Sequence, residues 1–166
     1  MSRSIFLNEI QHSTDTDNSC KVLLWRRDYY TNKISYLVMR NGRGDWTLTG
    51  GHQMEGEDPY DTLIREVKEE IGIVLKKDKI EHLKTIKRPL GKKGKIAIFK
   101  AECSNLEVAR PVQIKPDAGF KIPEVMEIRW LTSMNDLNIL EFSEKQKYCR
   151  EFLASQFSGS KLDKIE

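Results

Sequence analysis

Apolar residues are spaced at two different periods along this chain, and the change of period marks out its elements. Lys21-Val22-Leu23-Leu24-Trp25 is continuously apolar after its lysine, the pattern of a strand covered on both faces. A turn at Asp28 to Lys33 leads to a second strand, Ile34 to Arg40. Asn41-Gly42 then supplies a turn pair, both residues tolerating positive φ. Trp46-Thr47-Leu48 reads as a short extended piece ending at Gly50-Gly51. Asp58-Pro59 next provides an N-cap acceptor with proline at the first helical position. Tyr60, Leu63, Ile64, Val67 and Ile71 recur at helical spacing as one apolar stripe, and Gly72 closes the helix.

The period returns to that of strands at Ile80 to Lys87, Lys95 to Cys103 and Val125 to Leu131. Ser143 opens a last helix, with Gln146 completing a capping box and Gly159 ending it. Tyr148, Phe152 and Leu153 are its core residues. No internal repeat is visible. The order of elements predicts an α/β (α+β) chain, a mixed sheet sandwiched between helices. The expected organisation is a loose tail over 1–18, one domain over 19–158 and a short tail over 159–166.

A length of 166 residues suits one domain with a real core. The N-terminus lacks the layout of a secretion signal and no apolar run is long enough to span a bilayer, which makes the cytoplasm the expected location. Cys20, Cys103 and Cys149 form no CxxC pair and have no histidine pair nearby, so buried thiols are expected rather than a zinc site. A net charge of +3 is too small to imply nucleic-acid binding, and its distribution matters more.

The chemistry concentrates on the first helix. Glu66, Glu69 and Glu70 stand at i, i+3 and i+4, which places three carboxylates on one face, opposite the apolar stripe. Glu69 and Glu70 also occupy the negative end of the helix dipole, where each carboxylate costs ~0.3–1 kcal/mol. A cation is the natural missing partner. Oxygen ligands without histidine or cysteine select magnesium, manganese or calcium over zinc. Arg65 is placed to pair with Glu69 at i,i+4. Taken alone, the cluster reads more readily as a solvated acidic helix face, the norm for surface helices.

The flanking residues decide between these readings. Gly51, Glu57, Arg65-Glu66-Val67, Glu69-Glu70, Gly72 and Ile73 match the signature GX5EX7REUXEEXGU (U aliphatic) at every specified position. In this 23-residue box the chain resembles the Nudix hydrolases. One departure precedes the box: many relatives read Leu-Pro-Gly-Gly, whereas this chain has Leu48-Thr49-Gly50-Gly51, keeping both glycines.

The resemblance implies hydrolysis of a diphosphate bond in a nucleoside diphosphate linked to another group, with Mg2+ or Mn2+ as cofactor. It implies that Glu66 and Glu70 ligate the metal, assisted by Glu69 and the Gly50 carbonyl, with Glu57 at the loop edge. Bound cations offset the negative charge that builds on phosphate oxygens during such an attack. The general base is open among Glu66, Glu69, Glu124 and Glu127; in a strand over 125–131, Glu127 points away from the face shared by Met126, Ile128 and Trp130.

Six cations, Lys84, Lys87, Arg88, Lys92, Lys93 and Lys95, fall within twelve residues around Pro89 and Gly91. They constitute either a solvated turn or a grip on extra phosphates such as a polyphosphate chain or an RNA 5′ end, with Arg88, Lys92 and Lys93 as contacts. Gly51 and His52 are placed to touch a phosphate, although His52 also reads as an ordinary loop histidine. Trp25, Tyr29, Tyr30 and Phe120 are available to stack on a base, or else to serve as core or rim. The long stretch 104–124, with Pro111, Pro116, Gly119 and Pro123, is of a length usual for functional loops.

Substrates compatible with this reading include nucleoside triphosphates, dinucleoside polyphosphates, ADP-ribose, nucleotide sugars, capped RNA and inositol pyrophosphates. The rival is a Nudix-fold module that binds nucleotide or RNA without cleavage, but such modules generally lose box glutamates and this chain keeps them. Isomerisation of an isoprenoid diphosphate is a third possibility that neither length nor cysteine placement encourages.

Overall fold

The computed structural model describes residues 15–104, 109–112 and 124–159. Seven strands form one mixed sheet: β1 (Asp15–Arg27), β2 (Ile34–Asn41), β3 (Trp46–Thr47), β4 (Thr49–Met54), β5 (Ile80–Lys87), β6 (Lys95–Glu102) and β7 (Val125–Leu131). The helices are α1 (Pro59–Ile71), α2 (Met134–Ile139) and α3 (Lys147–Ser158). β1 is the spine. It pairs in parallel with β6 along one side; along the other it pairs antiparallel, first with β4 and then with β2. β2 continues to β3 and β7, and β5 closes the far edge beside β6.

The apolar run of β1 is explained by the two cores it separates. Leu23 packs with Tyr36, Val38, Leu48, Ile98, Leu131, Phe152 and Leu153 on the side covered by α2 and α3. Val22 and Leu24 point the other way, to Leu63, Val67 and Ile71 of α1 and to Phe99. Alternating side chains of one strand thus anchor helices on opposite faces, which is the sandwich the sequence predicts. Cys20, Cys103 and Cys149 are all buried. Among the described residues no helix is long and apolar enough to cross a membrane.

Several local expectations are corrected. β1 begins at Asp15, within the segment expected to be a tail. The turn after β2 is closed by the Asn41 side chain, which accepts from the Arg43 and Asp45 N–H groups, and Gly44 rather than Asn41 or Gly42 takes the positive φ. Thr49–Met54 is a strand where only a glycine loop was expected, and α2 was not anticipated. The capping box at Ser143 does not form. Ser143 precedes a 3-10 turn over Glu144–Gln146, its hydroxyl is buried without a partner, and α3 starts at Lys147. The box residue Gln146 instead accepts from the Thr47 hydroxyl at 3.0 Å. Phe120, Pro116, Gly119 and Pro123 lie outside the described residues.

Candidate active site

α1 is held at both ends by its own sequence. The Asp58 side chain accepts from the Asp61 N–H at 2.9 Å and the Asp61 side chain returns the bond, forming a capping box with Pro59 at the first position. At the other end Gly72 adopts the left-handed conformation. The Arg110 and Val112 N–H groups then donate to the Ile71 and Glu70 carbonyls, so residues 109–112 occupy acceptors that a helix end leaves open. Leu63, Val67 and Ile71 are fully buried. With that stripe against the sheet, the next face of α1 turns toward β4.

Two glycines of β4 make the approach possible. Gly50 has φ +146°, and a Cβ there would lie 1.9 Å from the Cys20 carbonyl oxygen of β1. Its N–H donates to Glu70 Oε1 at 2.8 Å. A Cβ on Gly51 would lie 2.4 Å from the Glu66 carboxyl carbon. The Glu66 carboxylate therefore occupies the space a Cβ on Gly51 would take, while Gly50 can bring its N–H to Glu70 only because it has no Cβ to strike the β1 backbone.

The glutamates of α1 have different environments. Glu70 is buried, and burial pushes its carboxyl up to about 8; the Lys21 ammonium and the Gly50 N–H oppose that shift, while Glu66 and Glu124 add to it. Glu66 is half-buried, and its carboxyl is raised by burial against the opposing Arg65 guanidinium, 2.9 Å away. Glu69 is not grouped with them. Its side chain is 48% exposed, lies outside the cleft and meets Arg65 only at 3.4 Å. The geometric reason is the 100° step between consecutive helical residues, which carries Glu69 away from β4 as Glu70 turns beneath it.

Arg65 is engaged chiefly elsewhere than the i,i+4 spacing suggests. Its Nε and Nη2 donate to the two Glu57 oxygens at 2.8 and 2.9 Å, Nη1 donates to Glu66, and Nη2 also reaches the His52 carbonyl. Glu57 additionally accepts from the Met54 N–H and the Thr62 hydroxyl. The Arg65 bonds lead in holding its carboxyl down at about 2. Glu57 thus fastens the β4–α1 loop to the helix and does not line the cleft, while Arg65 fixes Glu66 from behind.

A cleft of about 600 Å³ opens in front of these groups. Gly50, Gly51, His52, Arg65, Glu66 and Glu70 line it, together with Glu124, Arg88 and Lys92. Lys93 and Glu127 do not. Glu127 is taken up by Arg40 and Arg129 on neighbouring positions of β2 and β7, which corrects its expected place at the site. Tyr29 and Tyr30 are 85% and 91% exposed at the β1–β2 turn, away from the cleft. Lys21 was missed by sequence reasoning. It stands on β1 opposite Gly50, donates to the Leu48 carbonyl at 3.1 Å and faces the cleft, and nothing local in the sequence marks it. Arg43 and Lys145, which also line the cleft, were missed for the same reason.

The donor set fits a hard divalent cation. Glu66 and Glu70 present carboxylate oxygens to one cleft, burial leaves both under-compensated, and Glu124 is close enough to raise them further. Among the described residues no three acidic, cysteine or histidine side chains form a closed cage. Magnesium does not require one, since it keeps several waters and uses one or two carboxylates plus substrate phosphates.

Comparison with known proteins identifies the family and the fold. The model of the NUDIX domain family matches residues 14–150. No curated protein matches the sequence at a significant level. A MutT/nudix family protein from Enterococcus faecalis has a similar structure, with TM-score 0.58 and 20% identity over 78% of this chain and 51% of that one. The chain therefore spans about half the length of that protein. The Ap4A hydrolase of C. elegans, in a binary complex, aligns with TM-score 0.59 and 22% identity over 84% of this chain and 96% of that one. The NUDIX domain of Shewanella oneidensis NrtR, complexed with ADP ribose, aligns with TM-score 0.62 and 17% identity over 94% and 99%. At these identities the structural likeness establishes the fold.

Proposed function

Because the chain belongs to the NUDIX family, whose members are pyrophosphohydrolases, we propose that it is a divalent-metal-dependent hydrolase of a phosphoric anhydride, acting on a nucleoside diphosphate linked to a further group. The observation that supports this most is the pair of under-compensated carboxylates, Glu66 and Glu70, seated against Gly51 and Gly50 at one cleft. Glu66 and Glu70, with the Gly50 carbonyl, would hold Mg2+ or Mn2+. The cation supplies neutralisation of charge on the phosphate oxygens and a more acidic attacking water.

The chain's own residues have separate tasks. Arg65, braced by Glu57, keeps the Glu66 carboxylate aimed at the cleft, and the Gly50 N–H and Lys21 do the same for Glu70. Glu124 lines the cleft among the described residues outside the box, and its role is to accept the proton of the attacking water. One water oxygen–phosphorus bond forms, the bridging oxygen–phosphorus bond breaks, and two phosphate-bearing products leave.

A panel of anhydride substrates with magnesium or manganese, run on wild type and Glu70→Gln, tests this reading. Turnover by wild type that falls by at least about 10³-fold in the variant is the expected result. Tight nucleotide or RNA binding with no turnover across the panel would replace it with the binding-module reading.

A further inference from the structure

The cleft has a second wall that the hydrolysis of a simple diphosphate does not use. Arg43 comes from the β2–β3 turn, Arg88 and Lys92 from the β5–β6 loop, and Lys145 from the 3-10 turn before α3. These three segments are far apart in sequence, yet all four side chains line the same cleft as Glu66 and Glu70. Among the described residues none of the four has a carboxylate within ion-pair distance, and the Arg88 guanidinium donates to the Asp17 and Lys93 carbonyls. Gathering cations without counter-charge is unfavourable, and ordinary surface design intersperses the two signs.

The charges also fall into two groups by what acts on them. The groups acting most strongly on Glu66 and Glu70 are Arg65, Lys21, Glu69, Glu124 and each other. Lys145 is half-buried, and its ammonium is pulled down first by that burial and then by Lys92, Arg43 and Arg88, while Asp45 opposes. The cleft therefore carries two sets of charge, carboxylates suited to a cation and, opposite in sign, four cations from three other segments. A cation held between Glu66 and Glu70 would serve the anhydride that is cleaved. A diphosphate whose two ends carry only uncharged groups gives these four cations nothing to neutralise.

We propose that Arg43, Arg88, Lys92 and Lys145 form a binding site for a phosphate group beyond the anhydride that is cleaved, so that the substrate class is polyphosphorylated. The chemistry required is at least one further phosphate, as in a nucleoside triphosphate, a dinucleoside polyphosphate or a polyphosphorylated polyol. The assignment to a substrate rests on the hydrolase reading above; the pocket itself rests on the convergence of the four cations. Lys93, which shares the loop with Lys92 but does not line the cleft, has no part in it.

Two measurements separate the proposals. Inorganic tripolyphosphate titrated into the full chain in EDTA reports on the pocket without catalysis. Wild type and Lys93→Ala should bind it alike, and Arg43→Gln combined with Lys145→Gln should bind it about tenfold to a hundredfold more weakly. Equal affinity in all three proteins would overturn the pocket whatever the turnover. In the presence of magnesium, the same double variant should raise KM for a dinucleoside tetraphosphate at least about tenfold more than for ADP-ribose, with kcat changed little. Equal changes for both substrates would overturn the assignment of substrate class. Tripolyphosphate binding that depends on the four cations, with no turnover of any anhydride, would leave the pocket standing and remove the hydrolase reading.

Discussion

Gly51→Ala converts the close approach of β4 and α1 into a measurable effect. The new methyl carbon would lie 2.4 Å from the Glu66 carboxyl carbon and 2.6 and 2.7 Å from its oxygens. Ordinary contact between carbon atoms is about 3.5–4.0 Å, so the carboxyl must withdraw by roughly 1 Å. What moves is the end of a flexible side chain, and the backbone conformation at Gly51 suits alanine, so stability should change by less than about 1 kcal/mol, a few degrees in Tm. The displaced carboxylate breaks its 2.9 Å bond to Arg65 and no longer points at the same spot in the cleft. Misplacement of a catalytic group by about 1 Å costs on the order of 10²-fold in rate. Steady-state kinetics with magnesium, beside a thermal melt, should therefore show kcat down about a hundredfold at nearly unchanged Tm. Adding Gly51→Ala to Glu66→Gln should cost little more than Glu66→Gln alone, because the glycine acts through that carboxylate. A kcat within twofold of wild type, or full additivity of the two changes, would refute the idea that Gly51 makes room for Glu66.

Three further outcomes follow from the same geometry. Glu57→Gln removes a partly buried, bidentate partner of Arg65 and should cost about 2 kcal/mol by urea denaturation; since its folded carboxyl is held at about 2, against an ordinary 4.5, that contribution is present above about pH 4.5 and lost as pH falls toward 2. Glu70 has the opposite sign: pushed up to about 8 from 4.5, it keeps a proton that the unfolded chain has lost, so in EDTA the stability it contributes should fall between about pH 4.5 and 8, and melts should show this slope disappear in Glu70→Gln. Thr49→Val replaces a fully buried hydroxyl that has no hydrogen-bond partner with a methyl group of similar shape and should raise stability by about 1 kcal/mol; a loss of stability would mean that the hydroxyl is satisfied.

What could be read from the chain was what depends on neighbours in sequence. The spacing of Leu63, Val67 and Ile71, the Asp58-Pro59 start and the Gly72 stop are local signals, and α1 forms where they place it. The continuous apolar run of β1 correctly implied cover on both faces, because a strand's side chains alternate whatever lies beyond them. Arg65 shows where local reasoning stops. The i,i+4 rule offered Glu69, but Glu57, eight residues away across a loop, presents both carboxylate oxygens and takes the bidentate bond. Ser143 failed similarly: a capping sequence was present, but tertiary packing buried the hydroxyl and drew Gln146 to Thr47. α2 carries a local signal of its own, the Ser133 N-cap accepting from the Asp136 N–H. Lys21, Arg43 and Lys145 had no such signal, since only the sheet brings them to the cleft.

Hydrolysis as proposed requires Glu66 and Glu70 to hold a doubly charged cation. Titration of Mn2+ into the full chain, followed by the loss of the free-ion signal in electron paramagnetic resonance, addresses this without any choice of substrate. Wild type should bind the ion, and Glu66→Gln and Glu70→Gln should each weaken binding at least about tenfold, as loss of a charged ligand requires. Affinity for Mn2+ unchanged by either substitution would contradict it.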